Sequence, residues 1–289
     1  MKRLPYVIGD FVWTGMDYIG ESGIGHNYFF DPKASRERTF LMPWPWYVSW
    51  CGDIDILGNK KPQSYYRDVL WGESNLELTV GTPIPKGKES RLSYWGWYDE
   101  ERHWNWEGHE GEDMHIKVYS SYPQVKLELN GKVAGLSDID SLDKFVAQFT
   151  VPYEAGELRA TGMQEGEEME SVILKTAGPA TLLQLNTEQK AINAQNNALA
   201  FINVEALDKE ALHSPTSNLE VWVKISGPAQ LQAAGNANPA HQGSFTNETF
   251  SLFKGRSLVI IRSTGQAGTI TVEVSSEGLE PARIELEAN

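Results

Sequence analysis

From residue 76 onward the chain alternates apolar and polar residues in short runs, and this period of two limits what it can fold into. The runs cover residues 76–80, 116–119, 125–129, 145–151 and 156–160, then 200–206, 219–225, 257–263, 269–274 and 283–286. Alternation puts every second side chain on the same face of an extended strand. Asn130-Gly131, directly after one run, signals a hairpin, because both residues tolerate φ > 0. Short strands at a spacing of about ten residues predict β-sandwiches. Gly178-Pro179 opens the second series, so two sandwiches are expected, over 76–178 and 179–289.

Residues 1–75 read differently. Tyr6, Val7, Ile8, Phe11, Val12 and Trp13 make a mostly apolar run with no alternation. That pattern suits a strand buried on both faces, as in a parallel sheet. A long aromatic and Gly-rich loop follows, through Pro43-Trp44-Pro45-Trp46. Pro62 then fits a first helical turn, and Tyr66, Val69 and Leu70 share a face at helical spacing. Strand, loop and helix make a single βα unit, which closes no core by itself. Nine of the ten tryptophans, Trp13 to Trp106, precede residue 107, and only Trp222 follows.

The net charge of -14 disfavours nucleic acid and anionic membranes as partners, since both are polyanions. No apolar run reaches the roughly 18 residues of a membrane span. Met1-Lys2-Arg3 is not followed by the apolar core of a signal peptide. A single cysteine, Cys51, excludes an internal disulfide and reads as a small buried hydrophobe. The six histidines are scattered, so no metal site is expected, and no nucleotide-binding glycine motif implies a cofactor.

Glycosidic hydrolysis needs two carboxyl groups flanking one bond. Asp53 with Asp55 and Asp17 with Glu21 are the candidate pairs, and hydrogen bonding within loops is the plainer use of both. Aromatic rings offer a better lead, since the apolar C–H faces of sugars lie flat on them. Trp13 ends the first expected strand, where barrel enzymes place substrate contacts. Trp95 and Trp97 are expected to alternate on one strand face and Trp104 and Trp106 to do the same, giving a candidate carbohydrate-binding surface. Packing between neighbouring domains is the alternative use of these four rings.

Three stretches of residues 1–75, and two of the region that follows, resemble one family. Gly9-Asp10-Phe11-Val12-Trp13-Thr14-Gly15-Met16-Asp17 resembles the eighth barrel strand of glycoside hydrolase family 2 β-galactosidases. Cys51-Gly52-Asp53-Ile54-Asp55 and Lys61-Pro62-Gln63-Ser64-Tyr65-Tyr66-Arg67-Asp68 look like the segment that runs into the last barrel helix. Trp104-Asn105-Trp106-Glu107-Gly108 and Leu129-Asn130-Gly131-Lys132 look like the sandwich that follows the barrel in Bacteroidetes-type members. The resemblance implies a mainly β fold: two immunoglobulin-like β-sandwiches preceded by the last βα unit of a TIM barrel. It implies that Trp13 is the sugar-facing tryptophan at the base of the galactose subsite. The family's two catalytic glutamates lie on barrel strands four and seven, and no residue here matches either, so no catalytic residue is carried over. Cys51 stands where members often have an asparagine near the substrate.

The chain is therefore expected to be a C-terminal, non-catalytic part of a retaining β-galactosidase-like enzyme, its glycan partner a β-galactoside or related sugar. The resemblance also implies a periplasmic location. A free-standing carbohydrate-binding module and a structural spacer or adhesin-like protein are the other readings. An unpaired barrel remnant seeks a partner, so residues 1–75 are expected either to collapse onto 76–178 or to pair with another chain as a homo-oligomer. Light scattering separates these: pairing predicts a dimer or larger species, and a strictly monomeric chain excludes it.

Overall fold

In the computed structural model, residues 6–9, 11–33, 41–139, 145–195 and 197–289 are described. The first part contributes β1 (Asn27–Phe30) and α1 (Pro62–Trp71). Next come β2 (Leu76–Gly81), β3 (Glu89–Leu92), β4 (Glu100–Glu101), β5 (Asp113–Ser120), β6 (Gln124–Leu129), β7 (Lys132–Asp138), β8 (Val146–Pro152), β9 (Glu157–Gln164) and β10 (Glu167–Lys175). The last part holds β11 (Leu182–Asn186), β12 (Ala191–Ile192), β13 (Leu199–Leu207), β14 (Glu220–Ser226), β15 (Ala229–Gly235), β16 (Thr249–Ser251), β17 (Arg256–Ser263), β18 (Gly268–Ser276) and β19 (Ala282–Ala288).

These strands build two sandwiches, and the fold is mainly β as expected. One packs the sheet β4-β2-β5-β8 on the sheet β10-β9-β6-β7. Alternate residues of both sheets meet in one core, including Leu76, Leu78, Ile116 and Val118 from the first and Val125, Leu127 and Leu158 from the second. The other packs β11-β13-β17-β15 on β12-β19-β18-β14-β16, with Ile202, Val204, Val259 and Ile261 facing Val221, Val272, Val274 and Leu286. Asn130 and Gly131 both take positive φ, 50° and 75°, and close the β6–β7 hairpin in register Leu129↔Lys132.

The first part departs from expectation. Residues 6–9 and 11–13 form no strand, and Tyr6, Ile8 and Phe11 are exposed. A strand of a parallel sheet draws its hydrogen bonds from strands on its flanks, and none flanks this run among the described residues. No barrel strand is formed among the described residues of this run, whereas the expected helix forms. Pro62 occupies its first turn, and Gly72, at φ 83°, ends it in the left-handed region that glycine favours. Ring contacts of Tyr66 with Trp97 (5.4 Å) and Tyr119 (5.3 Å) dock α1 on the first sandwich.

All three parts meet around a cavity of about 300 Å3 lined by Trp50, Asp99, Glu101, His103, His213 and Lys254, among others. Lys254 pairs with Glu101 across the two sandwiches, and its ammonium lies 5.9 Å from the Trp50 ring. The amide of Tyr47 donates to Pro239 O at 2.9 Å. His213 Nε2 lies 3.0 Å from Lys254 O, while its buried Nδ1 has no partner. Burial, with the nearby Arg256 charge, lowers the His213 pKa to about 4. A depressed pKa means that unfolding takes up a proton between pH 4 and the ordinary value near 6.5. The stability from neutral His213 is thus complete above about pH 6.5 and is lost as pH falls toward 4. In thermal melts across this window, the His213→Gln midpoint is expected to fall less steeply than that of the parent chain; parallel slopes would exclude this role.

Candidate functional site

The polar centre of the first part is built by two loop segments lying side by side. Asp53 N and Ile54 N donate to Thr14 O and Gly15 O at 2.9 and 3.0 Å, and Thr14 N and Asp17 N donate back to Cys51 O and Ile54 O at 3.1 and 2.9 Å. Gly52 permits this approach: a Cβ there would sit 2.1 Å from the Asp17 amide nitrogen. Gly25, at φ 89°, presses as closely on Cys51, whose Cα would lie 2.5 Å from an added Cβ.

A buried ion pair ties these segments to the helix. Lys61 Nζ donates to both carboxylate oxygens of Asp17, at 2.8 and 3.1 Å, and to Trp50 O at 2.8 Å. The Gly52 amide donates to Asp17 Oδ1 at 2.7 Å. The Lys61 ammonium also lies 4.2 Å from the centre of the Trp50 ring. Burial pushes the Asp17 carboxyl up and the Lys61 ammonium down, and each charge opposes the shift of the other. Lys61 directly precedes α1, so the pair also fixes where the helix starts. Gln63 and Ser64 in its first turn donate to Gly52 O and Asp53 O, and Arg67 pairs with Asp53.

Above this frame lie exposed rings. Trp13 is 55% exposed and meets Tyr18 edge to face at 6.5 Å. Tyr18 donates to Glu21, and burial with that donation pushes its phenol up to about 12. Tyr47 O accepts from Gly20 N at 2.8 Å, which brings the next loop alongside. That loop carries Trp44, 75% exposed, with its ring 6.4 Å from Tyr47. Beneath them His26, Trp46 and Trp50 pack in series at 5.5 and 5.6 Å.

The sequence candidates separate. Trp13 is open to solvent beside this cluster. Trp95 and Trp97 lie outside any strand, and Trp95 sits in a turn at φ 56°. Trp97 is half-buried between Tyr66 and Tyr98. Trp104 is 0% exposed and donates to Glu154 O at 2.9 Å, so it belongs to the sandwich core and presents no face to a sugar. Trp106 packs on His103 at 4.7 Å and on that core. The four tryptophans therefore form no common surface. The acids are committed elsewhere: Asp55 Oδ1 accepts from Leu57 N and Asn59 N at 2.8 and 2.9 Å, beside the pairings of Asp17, Asp53 and Glu21. Sequence reading missed Lys61, since nothing in a Lys-Lys-Pro stretch announces a buried charge. Trp44 and Tyr47 were in plain view in the aromatic loop but had no assigned place.

Residues 183–285 match the glycoside hydrolase family 2 C-terminal domain 5, and residues 111–170 match a domain of unknown function, DUF4982. The β-galactosidase BoGH2A of Bacteroides ovatus is 26% identical over 98% of this chain and 29% of its own length. A β-glucuronidase of Formosa agariphila is 27% identical over 64% of this chain and 19% of its own. Among solved structures, a family 2 glycosyl hydrolase from Bacteroides cellulosilyticus superposes with a TM-score of 0.87 at 32% identity, covering 98% of this chain and 36% of that one. The chain thus spans between about a fifth and about a third of the length of these relatives.

Lys61→Met leaves the Asp17 carboxylate buried without its partner and is expected to cost about 3–5 kcal/mol, as breaking a buried pair does. Adding Asp17→Asn should return part of that loss in denaturant unfolding; strictly additive losses would show that the two side chains are not coupled.

From the family match over its last part and the whole-length likeness to family 2 structures, the chain corresponds to a C-terminal portion of glycoside hydrolase family 2 proteins from Bacteroides.

Proposed function

We propose that this chain is the non-catalytic C-terminal portion of a retaining β-galactosidase-like glycoside hydrolase, supplying one wall of the sugar site and two accessory sandwiches. The observation that carries this reading is the contrast at residues 13–21. Their backbone is anchored by the buried Asp17–Lys61 pair, while the Trp13 ring stands open to solvent. A sugar platform needs that combination, a ring whose position is set by what lies beneath it and whose face stays free. The carboxylates that sequence reading singled out are held by Lys61, Arg67, Tyr18 and loop amides, an arrangement that suits support of a site and not proton transfer within it.

β-Galactosides are favoured as the substrate class of the complete enzyme because the relative aligned over 98% of this chain is a β-galactosidase. The test is hydrolysis of p-nitrophenyl β-galactoside and p-nitrophenyl β-glucuronide by the purified chain. Release of nitrophenol at the no-protein rate is expected with both. Turnover that disappears in a heat-denatured control would overturn the non-catalytic assignment, and its preference between the two substrates would name the class directly.

A further inference from the structure

The first sandwich carries a second concavity, away from the Trp13 loops. Alternation turns Lys117, Tyr119, Gln148 and Thr150 away from the core, onto the outer face of the sheet β4-β2-β5-β8. Over that face the β1–β3 ribbon, Tyr66 of α1 and residues 97–99 enclose a cavity of about 670 Å3. This volume falls within the roughly 300–1,000 Å3 of small-molecule sites and leaves room for a disaccharide.

Its charge is nearly cancelled. Glu100 is buried and pairs with Lys117, and it also accepts from Thr79 Oγ1 at 2.9 Å and Tyr119 OH at 2.8 Å. Lys117 Nζ in turn lies 3.4 Å from the centre of the Tyr98 ring. Both members of the pair are thereby engaged, and neither is left over for an ionic ligand. Asp99, also in the wall, adds at most one negative charge, which disfavours carboxylates further. Phe29, Tyr66, Trp97 and Tyr98 supply aromatic surface. Trp97 Nε1 and Thr82 Oγ1 are sealed beneath this surface beside the Tyr119 and Asp99 side chains, so the wall meets a ligand through its rings.

We propose that this cavity binds a neutral saccharide of mono- or disaccharide size, as an accessory glycan site distinct from the Trp13 wall. Aromatic walls match the C–H faces of pyranose rings, and the cancelled charge matches a neutral ligand. The inference does not depend on whether the complete enzyme hydrolyses β-galactosides.

The test is a titration of the chain with lactose and with cellobiose, read on the tryptophan indole N–H resonances, with the Trp97 signal assigned from a Trp97→Phe spectrum. A saturable shift of the Trp97 resonance is expected. Tyr98→Ala should weaken binding about threefold to tenfold, as loss of an aromatic contact implies. Trp13→Ala should leave it unchanged. No saturable shift in the parent chain overturns the proposal, and so does binding that moves the Trp13 resonance and is lost in Trp13→Ala while Tyr98→Ala retains it.

Discussion

The ion pair between Asp17 and Lys61 sets the geometry of the whole first part. Each charge would be costly to bury alone. Together, with the Gly52 amide and the Trp50 carbonyl completing their shells, they join three pieces distant in sequence: the Trp13 loop, the 50–55 segment and the start of α1. The helix shows the same logic. Its buried residues are Gln63, Ser64 and Val69, so hydrogen bonding to loop carbonyls does as much to seat it as apolar contact. Hydrophobic burial is non-directional and tolerates sliding, whereas a bridged carboxylate and ammonium tolerate little. Such fixity is what a loop that presents Trp13 requires.

The aromatic residues divide according to what lies behind them. Trp104 points into a core closed by two sheets and is fully buried, its one donor taken by Glu154 O. Trp46 is held by donation to Val48 O at 2.6 Å and by rings on both sides. Trp13 and Trp44 have ring contacts on one side, with Tyr18 and Tyr47, and solvent beyond. Identical side chains thus act as core, as support and as platform, and the difference lies wholly in the neighbouring backbone.

That division explains which features could be read from sequence. Period-two alternation is local and survives in any sandwich, so runs such as 200–206 and 257–263 announced β13 and β17, which pair with each other in the structure. The β6–β7 turn was legible because Asn130-Gly131 meets a backbone need that few residue pairs meet. Strand β10 was not, since Glu167, Glu168 and Glu170 give its exposed half no apolar period and only its pairing with β9 makes it a strand. The run 6–13 had the composition of a strand without its neighbours. Composition expresses what a segment tolerates, and hydrogen-bond partners decide what it becomes. The spacing of Trp95, Trp97, Trp104 and Trp106 misled for a related reason: an interval of two means a shared face only where a strand exists, and at 94–99 the chain turns instead.

Exposure in the first part also has a direction. Tyr6, Ile8 and Phe11 all carry large apolar surface into solvent within one short stretch, and Leu70 and Trp71 do so at the far end of α1. Scattered exposed apolar residues need no explanation, but several in one stretch do. At about 25 cal/mol per Å2 of apolar surface, covering even part of this stretch outweighs the modest net value of any single hydrogen bond there. The sandwiches ask for nothing comparable, because their cores are closed by their own sheets. The two halves of the chain therefore stand in different thermodynamic positions: the sandwich cores are closed as folded, while the run ahead of Trp13 leaves apolar surface in water beside an anchored loop.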